Sequence, residues 1–374
     1  MTAAAGEGIT VARALSWRLR RHALDPVTGT DVADVLDRVV ALRGWPADLA
    51  ELACAVRQEE PAPETLQRSL DEGEVIRGYA FRGGSYVFGH QVAAVLLACR
   101  RATRVWETRR FQQQAGFTLP DWQPLRDAVH EALASGPATR QEISDHLARV
   151  PALRQLAAAA LGAGSDSLYK PLHWWGDICF GPTRDGQSTF RLLDGDPRWP
   201  GLPALEDAGP RAVELYLGSY GPATLANLEY WLTEGLSVPR RRLSTWLAEL
   251  GDTVTPVSIA GTDAYALTRD VPQLIAAEPS DAVRLLPGFD PWIFGPGTAD
   301  DRLLPTARRA LATKGAQLVI RGGVASGTWR IQGGQLAVAW FDEAGTPPRA
   351  DLEQETARIG RLRGRLLNLA LEHG

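Results

Sequence analysis

A chain of 374 residues with 45% hydrophobic and 22% charged residues has room for two to four globular domains, and it contains no run of about 18 apolar residues to cross a membrane. The formal net charge of −4 argues against a protein whose main task is gripping a phosphate backbone, although it leaves local basic faces open. Cys54, Cys99 and Cys179 stand apart, and the six histidines are scattered singly, which argues against structural zinc and fits a reducing cytoplasm.

The opening residues "MTAAAGEGIT" lack the basic and apolar regions of a signal peptide. Helices are expected near residues 9–23, 30–42, 47–58 and 62–71. Between the second and third, Arg43, Gly44, Trp45 and Pro46 interrupt two apolar helical runs in "VVALRGWPADLAEL". Gly and Pro are ordinary helix punctuation; a bulky cation and an indole between them are not. A hairpin follows in "VIRGYAFRGGSYVFG", turning at Gly83-Gly84, and then one long helix from about Gln91 to Gln114.

The middle of the chain carries an internal repeat. "GPATRQEISDHL" begins at Gly136 and "GPATLANLEYWL" at Gly221. Thr139 and Thr224 read as helix N-caps, with Glu142 completing a capping box on Thr139. Each copy follows an amphipathic helix and precedes a further helix and a strand pair, "DICFGPTRDGQSTFRLL" or "TVTPVSIAGTDAYALT". That order is the winged form of helix-turn-helix, here in tandem, and the first 115 or so residues have the makings of a third copy. After residue 280, short strands with glycine turns predict a small β-barrel or curled sheet, and the tail from Pro348 an amphipathic helix. The fold class is therefore multi-domain α+β: three winged-helix units (1–118, 119–205, 206–278) and a β-rich C-terminal domain (279–374) with a terminal helix.

Dinucleotide and P-loop glycine motifs, HExxH and GxSxG are absent, and neither a cofactor nor a metal is expected. The basic residues are almost all arginine; Lys170 and Lys314 are the only lysines. Arg240-Arg241-Arg242 reads as an exposed cluster more readily than as a phosphate clamp, and Trp174 and Trp175 as packing.

"LSWRLRRHALDP", "YKP", "DICFGP", "YGPATLANLEYWL", "RLLPGFDPWIFG" and "GTWR" together resemble the AlkZ/YcaQ family of bacterial DNA glycosylases, in the family's order and over nearly the whole chain. The resemblance implies tandem winged helices with a C-terminal β-barrel, and unhooking of alkylated bases and crosslinks. It also implies a Gln-x-Gln or Gln-x-Asp pair at the corner where Arg43 and Trp45 stand, reached without a gap from Ala50-Glu51-Leu52. An arginine is no base at neutral pH, and an indole donates one N–H and accepts nothing. In the family's hairpin, "RGTLHL", a histidine works against the duplex; here Arg82 is kept and Tyr86 takes the histidine position.

Three readings follow. In the first, the cleft is repurposed for a small molecule of DNA-alkylating natural-product type, in biosynthesis or self-protection. Arg43 would stabilise an anionic leaving group, Tyr86 donate a proton, and Trp45, Tyr79 and Arg82 line the pocket. In the second, the protein is a glycosylase for bulky adducts that recruits Glu51 or Asp290 as its carboxylate. The third is a non-catalytic DNA-binding protein. The plain alternative has Trp45 as core filling and Arg43 paired with Glu51 or another nearby acid. A partner protein is left open, a membrane is not expected, and the expected location is the cytoplasm.

Overall fold

The computed structural model describes residues 8–162 and 166–373. They form a mixed α+β protein in two compact units, neither continuous in sequence. The first comprises Met1–Leu66, Val213–Trp231 and Thr245–Gly374; the second comprises Gln67–Ala212 and Leu232–Ser244. No described helix is long and apolar enough to cross a membrane.

The first unit begins with helix Val11–Arg21, N-capped by the Thr10 hydroxyl, which accepts from Arg13 N–H. Helix Val32–Val39 follows, capped by Asp31. Its valines and leucine face inward at helical spacing, and it stops at Val40, where φ is 66°. Helix Ala47–Ala55 then starts directly after Pro46. Further along the chain, five strands form one sheet in the order Asn368–His373, Gln335–Trp340, Val324–Gln332, Gln317–Arg321, Val283–Leu286. Among the described residues the outer strands of this sheet do not pair with each other, so of the two expected forms, a small barrel or a curled sheet, the closed barrel does not form; the sheet is open and backed by helix Arg349–Leu362. The tail also departs from a simple helix, since Asn368–His373 returns to pair in parallel with Gln335–Trp340. Trp292, Trp329 and Trp340 fill the core beside Leu15, Leu19 and Val319. Each indole is satisfied by a backbone carbonyl, respectively of Gly323, Leu286 and Gly345.

The second unit carries the hairpin Ile76–Tyr79 and Ser85–Phe88, which lies beside strands Ile178–Arg184 and Gln187–Leu192. The single long helix expected after it is two, His90–Arg101 and Arg109–Ala115. Arg104 adopts φ 51°, a 3₁₀ turn follows, and the Thr108 hydroxyl caps the second helix, so a local cap outcompetes continuation. The first repeat is laid out as read: helix Trp122–Leu133, the Thr139–Glu142 capping box, helix Arg140–Arg149 and the hairpin Ile178–Leu192. In the second repeat Thr224 caps Leu225–Leu228 with Asn227 closing the box, and the helix widens into a π-helical segment, Glu229–Gly235. Trp174 packs in the interior against Phe111, while Trp175 meets Trp106 and Trp122 edge-on. Packing therefore accounts for both indoles.

Candidate functional site

The helix corner at residues 40–46 belongs to the first unit. Tyr220 donates its hydroxyl to Val39 O at 2.6 Å and so pins the end of the preceding helix. The chain leaves through Leu42, fully buried, which fixes Arg43 in place. Arg43 Nε donates to Trp45 O at 3.1 Å, and its guanidinium lies 4.2 Å from the centre of the Phe289 ring. Both contacts hold the planar fork in one orientation while using a single N–H. Among the described residues Arg43 has no carboxylate partner, so the pairing with Glu51 does not form. Trp45 is 67% exposed, which removes it from the core.

The two carboxylates proposed for this corner have structural engagements. Glu51 accepts from Leu66 N–H at 3.1 Å, in the first turn of helix Thr65–Asp71, where a negative charge suits the helix end. Asp290 is buried and takes both Nη atoms of the equally buried Arg57, at 2.9 and 2.6 Å. It also caps helix Pro291–Phe294 by accepting from Trp292 N–H. The side chain that does meet Arg43 is Phe289, one residue earlier, held at φ 63° with its ring against Gly315. In the "GFDPW" segment the polar Asp290 was the residue legible as a site candidate, whereas the contact to Arg43 is made by its aromatic neighbour Phe289.

The three hairpin candidates lie in the second unit. Arg82, at φ 47° on the turn, is exposed and sits 3.8 Å from Glu234. Tyr86 is half-buried and edge-on to Phe81, with ring centres 5.0 Å apart. Tyr79 is buried against His173 and Phe180 and donates its hydroxyl to Asp166, which also holds Arg140 at 2.5 Å. Burial and this bond to Asp166 raise the Tyr79 pKa far enough to keep the phenol protonated. Tyr79 is thus packed in the core of the second unit. Sequence reading missed Lys170 here; its ammonium approaches the same hairpin turn, lying 3.3 Å from where a Cβ on Gly83 would stand.

Among the described residues no group of three His, Cys, Asp or Glu side chains is arranged to hold a metal ion. All three cysteines are buried, and burial pushes each thiol up to about 12, which leaves them protonated and unreactive.

Comparison with known proteins adds the family. The interstrand DNA cross-link repair glycosylase of Streptomyces sahachiroi is 30% identical over 357 residues, covering 93% of this chain and 95% of the relative. The solved structure of the Streptomyces sahachiroi DNA glycosylase AlkZ superposes with a TM-score of 0.92 at 28% identity, covering 98% of this chain and all of the other. The profile of the AlkZ-like DNA glycosylases matches residues 36–362, a span that includes the Arg43–Trp45 corner, the hairpin and the Phe289 segment. The chain belongs to the AlkZ-like DNA glycosylase family.

Proposed function

We propose that this protein acts on duplex DNA carrying alkylated or crosslinked bases, with Arg43 and Trp45 serving lesion recognition at the corner. The observation that carries this reading is a cation without a carboxylate partner, fixed beside a 67% exposed indole. That pair suits nucleic acid: a guanidinium fork takes a phosphate, and an exposed indole stacks on or wedges between bases. Family membership returns DNA to the partners that the acidic balance had argued against. The same residues argue against base excision by a water held at this corner. Neither accepts a proton, and a guanidinium repels the positive charge that grows on the sugar as a base departs. We read the four sequence segments as three winged-helix units and a β-rich domain within this plan, in a cytoplasmic protein.

A second reading keeps the cleft but changes the ligand. The fixed Arg43 fork equally suits an anionic leaving group on a DNA-alkylating natural product, with Trp45 as a wall. One titration separates the two. Labelled duplexes with and without an N7-alkylated guanine are titrated with wild type, Arg43→Ala and Trp45→Ala, and base release is followed in parallel. The DNA reading expects lesion-selective binding weakened at least tenfold in both variants. Absence of duplex binding in the wild type would overturn it and leave the small-molecule reading.

A further inference from the structure

In a chain where Lys and Arg together number 40, only two are lysines, and one of them, Lys170, stands against the hairpin turn. Arginine elsewhere supplies whatever a permanent positive charge can do. What lysine adds is an amine that loses its proton and becomes a nucleophile. Lys170 sits in the short helix Tyr169–Trp174, whose other side chains Tyr169, Leu172, His173 and Trp174 are buried, so its Cα is held rigidly. Its Nζ packs on the turn at Gly83, where φ is 69° and a side chain would press on the amine at 3.3 Å, so glycine is what lets the amine reach the turn. The Tyr79 ring lies 5.6 Å away on one side, and exposed Arg82 is the preceding residue of the turn. No ion pair ties Lys170 down among the described residues. Burial lowers its pKa; the Asp166 carboxylate opposes that, and the Arg100 guanidinium adds to it.

We propose that Lys170 is an amine nucleophile toward the C1′ aldehyde of an abasic deoxyribose, giving the protein a strand-cleaving activity at sites that have lost their base. The inference rests on the DNA reading above, because an abasic sugar is what departure of a damaged base leaves. The ring-opened sugar presents an aldehyde. The neutral Lys170 amine adds to it, and the resulting carbinolamine loses water to give an imine. The imine draws electrons from C2′, whose proton passes to water. The C3′–O3′ bond then breaks, its electron pair leaving with the 3′ phosphate. Hydrolysis of the imine returns the amine and releases an unsaturated aldehyde on the cleaved strand.

The test uses the full-length protein and a duplex with a preformed abasic site, so that no base excision is needed. Sodium borohydride reduces the imine to a stable amine and leaves a covalent protein–DNA adduct. The wild type is expected to give this adduct and a nicked strand. Lys170→Arg, which keeps the charge without the nucleophile, is expected to lose at least nine-tenths of both, while Lys314→Arg retains them. Binding to a duplex with a tetrahydrofuran abasic analogue, which lacks the aldehyde, is measured for each protein. Intact binding with no adduct in the wild type, or an adduct that persists in Lys170→Arg, overturns the inference and leaves the DNA reading standing. Failure of the wild type to bind the analogue duplex overturns both.

Discussion

Buried histidines report directly on the environment a residue meets. His173 lies wholly inside the second unit, with Nδ1 donating to Tyr169 O at 2.8 Å and its ring against Tyr79 and Phe180. Burial is the chief reason its pKa falls to about 4, with the bond to Tyr169 opposing. The folded protein therefore keeps His173 neutral down to about pH 4, while an unfolded chain protonates it near 6.5. Stability from this residue is complete above about 6.5 and is lost as pH falls toward 4, by an amount on the order of 3 kcal/mol. Urea titrations at pH 7 and pH 4.5 should show that loss in the wild type and a flatter dependence in His173→Gln. At the same scale, the corner shows why residue type alone misleads. Asp290 was a candidate carboxylate for the corner, yet it is buried and the buried Arg57 takes both its oxygens. Core filling, the plain alternative for Trp45, does not hold, since the indole is 67% exposed.

Elements in this chain are set by their ends as much as by their apolar faces. The Thr139 hydroxyl accepts from Glu142 N–H, and the Glu142 carboxylate accepts from Thr139 N–H at 2.7 Å. This reciprocal pair closes the start of helix Arg140–Arg149, and the Thr139→Ala variant is expected to lose about 1 kcal/mol in chemical denaturation. Both caps of the repeat were legible because a Thr followed three residues later by an acceptor is a local pattern. The break at Arg104 was not legible. The apolar periodicity runs through it, and only the Thr108 cap and the turn before it divide the helix in two. The last strand escaped notice for a related reason. "LNLALEH" has no turn signal of its own, and its pairing with Gln335–Trp340 is a long-range choice.

For the whole molecule, net charge and partner must be weighed separately. A formal charge of −4 describes the sum over all residues, whereas a duplex samples only the cations that reach its phosphates. A protein of this balance is expected to bind undamaged duplex weakly and to lose that binding steeply as salt rises, by tenfold or more between 50 and 200 mM. Lesion-selective binding through stacking by Trp45 should fall less over the same range. Fluorescence anisotropy on matched damaged and undamaged duplexes measures both slopes; equal slopes would argue against a stacking contribution.

The α+β class, the repeat with its caps, the hairpin turn and the position of the Arg43–Trp45 corner were all determined by sequence alone. Each depends on spacing within one or two dozen residues, where helical and strand periods and turn chemistry act. The tertiary structure decided whether the C-terminal sheet closes, that Phe289 rather than Glu51 or Asp290 meets Arg43, and that Tyr79 is core. It also placed Lys170 against a turn some 90 residues earlier in the chain. Those outcomes follow from contacts between distant segments. Burial, charge pairing and the room left by a glycine exist only once the chain has brought its parts together.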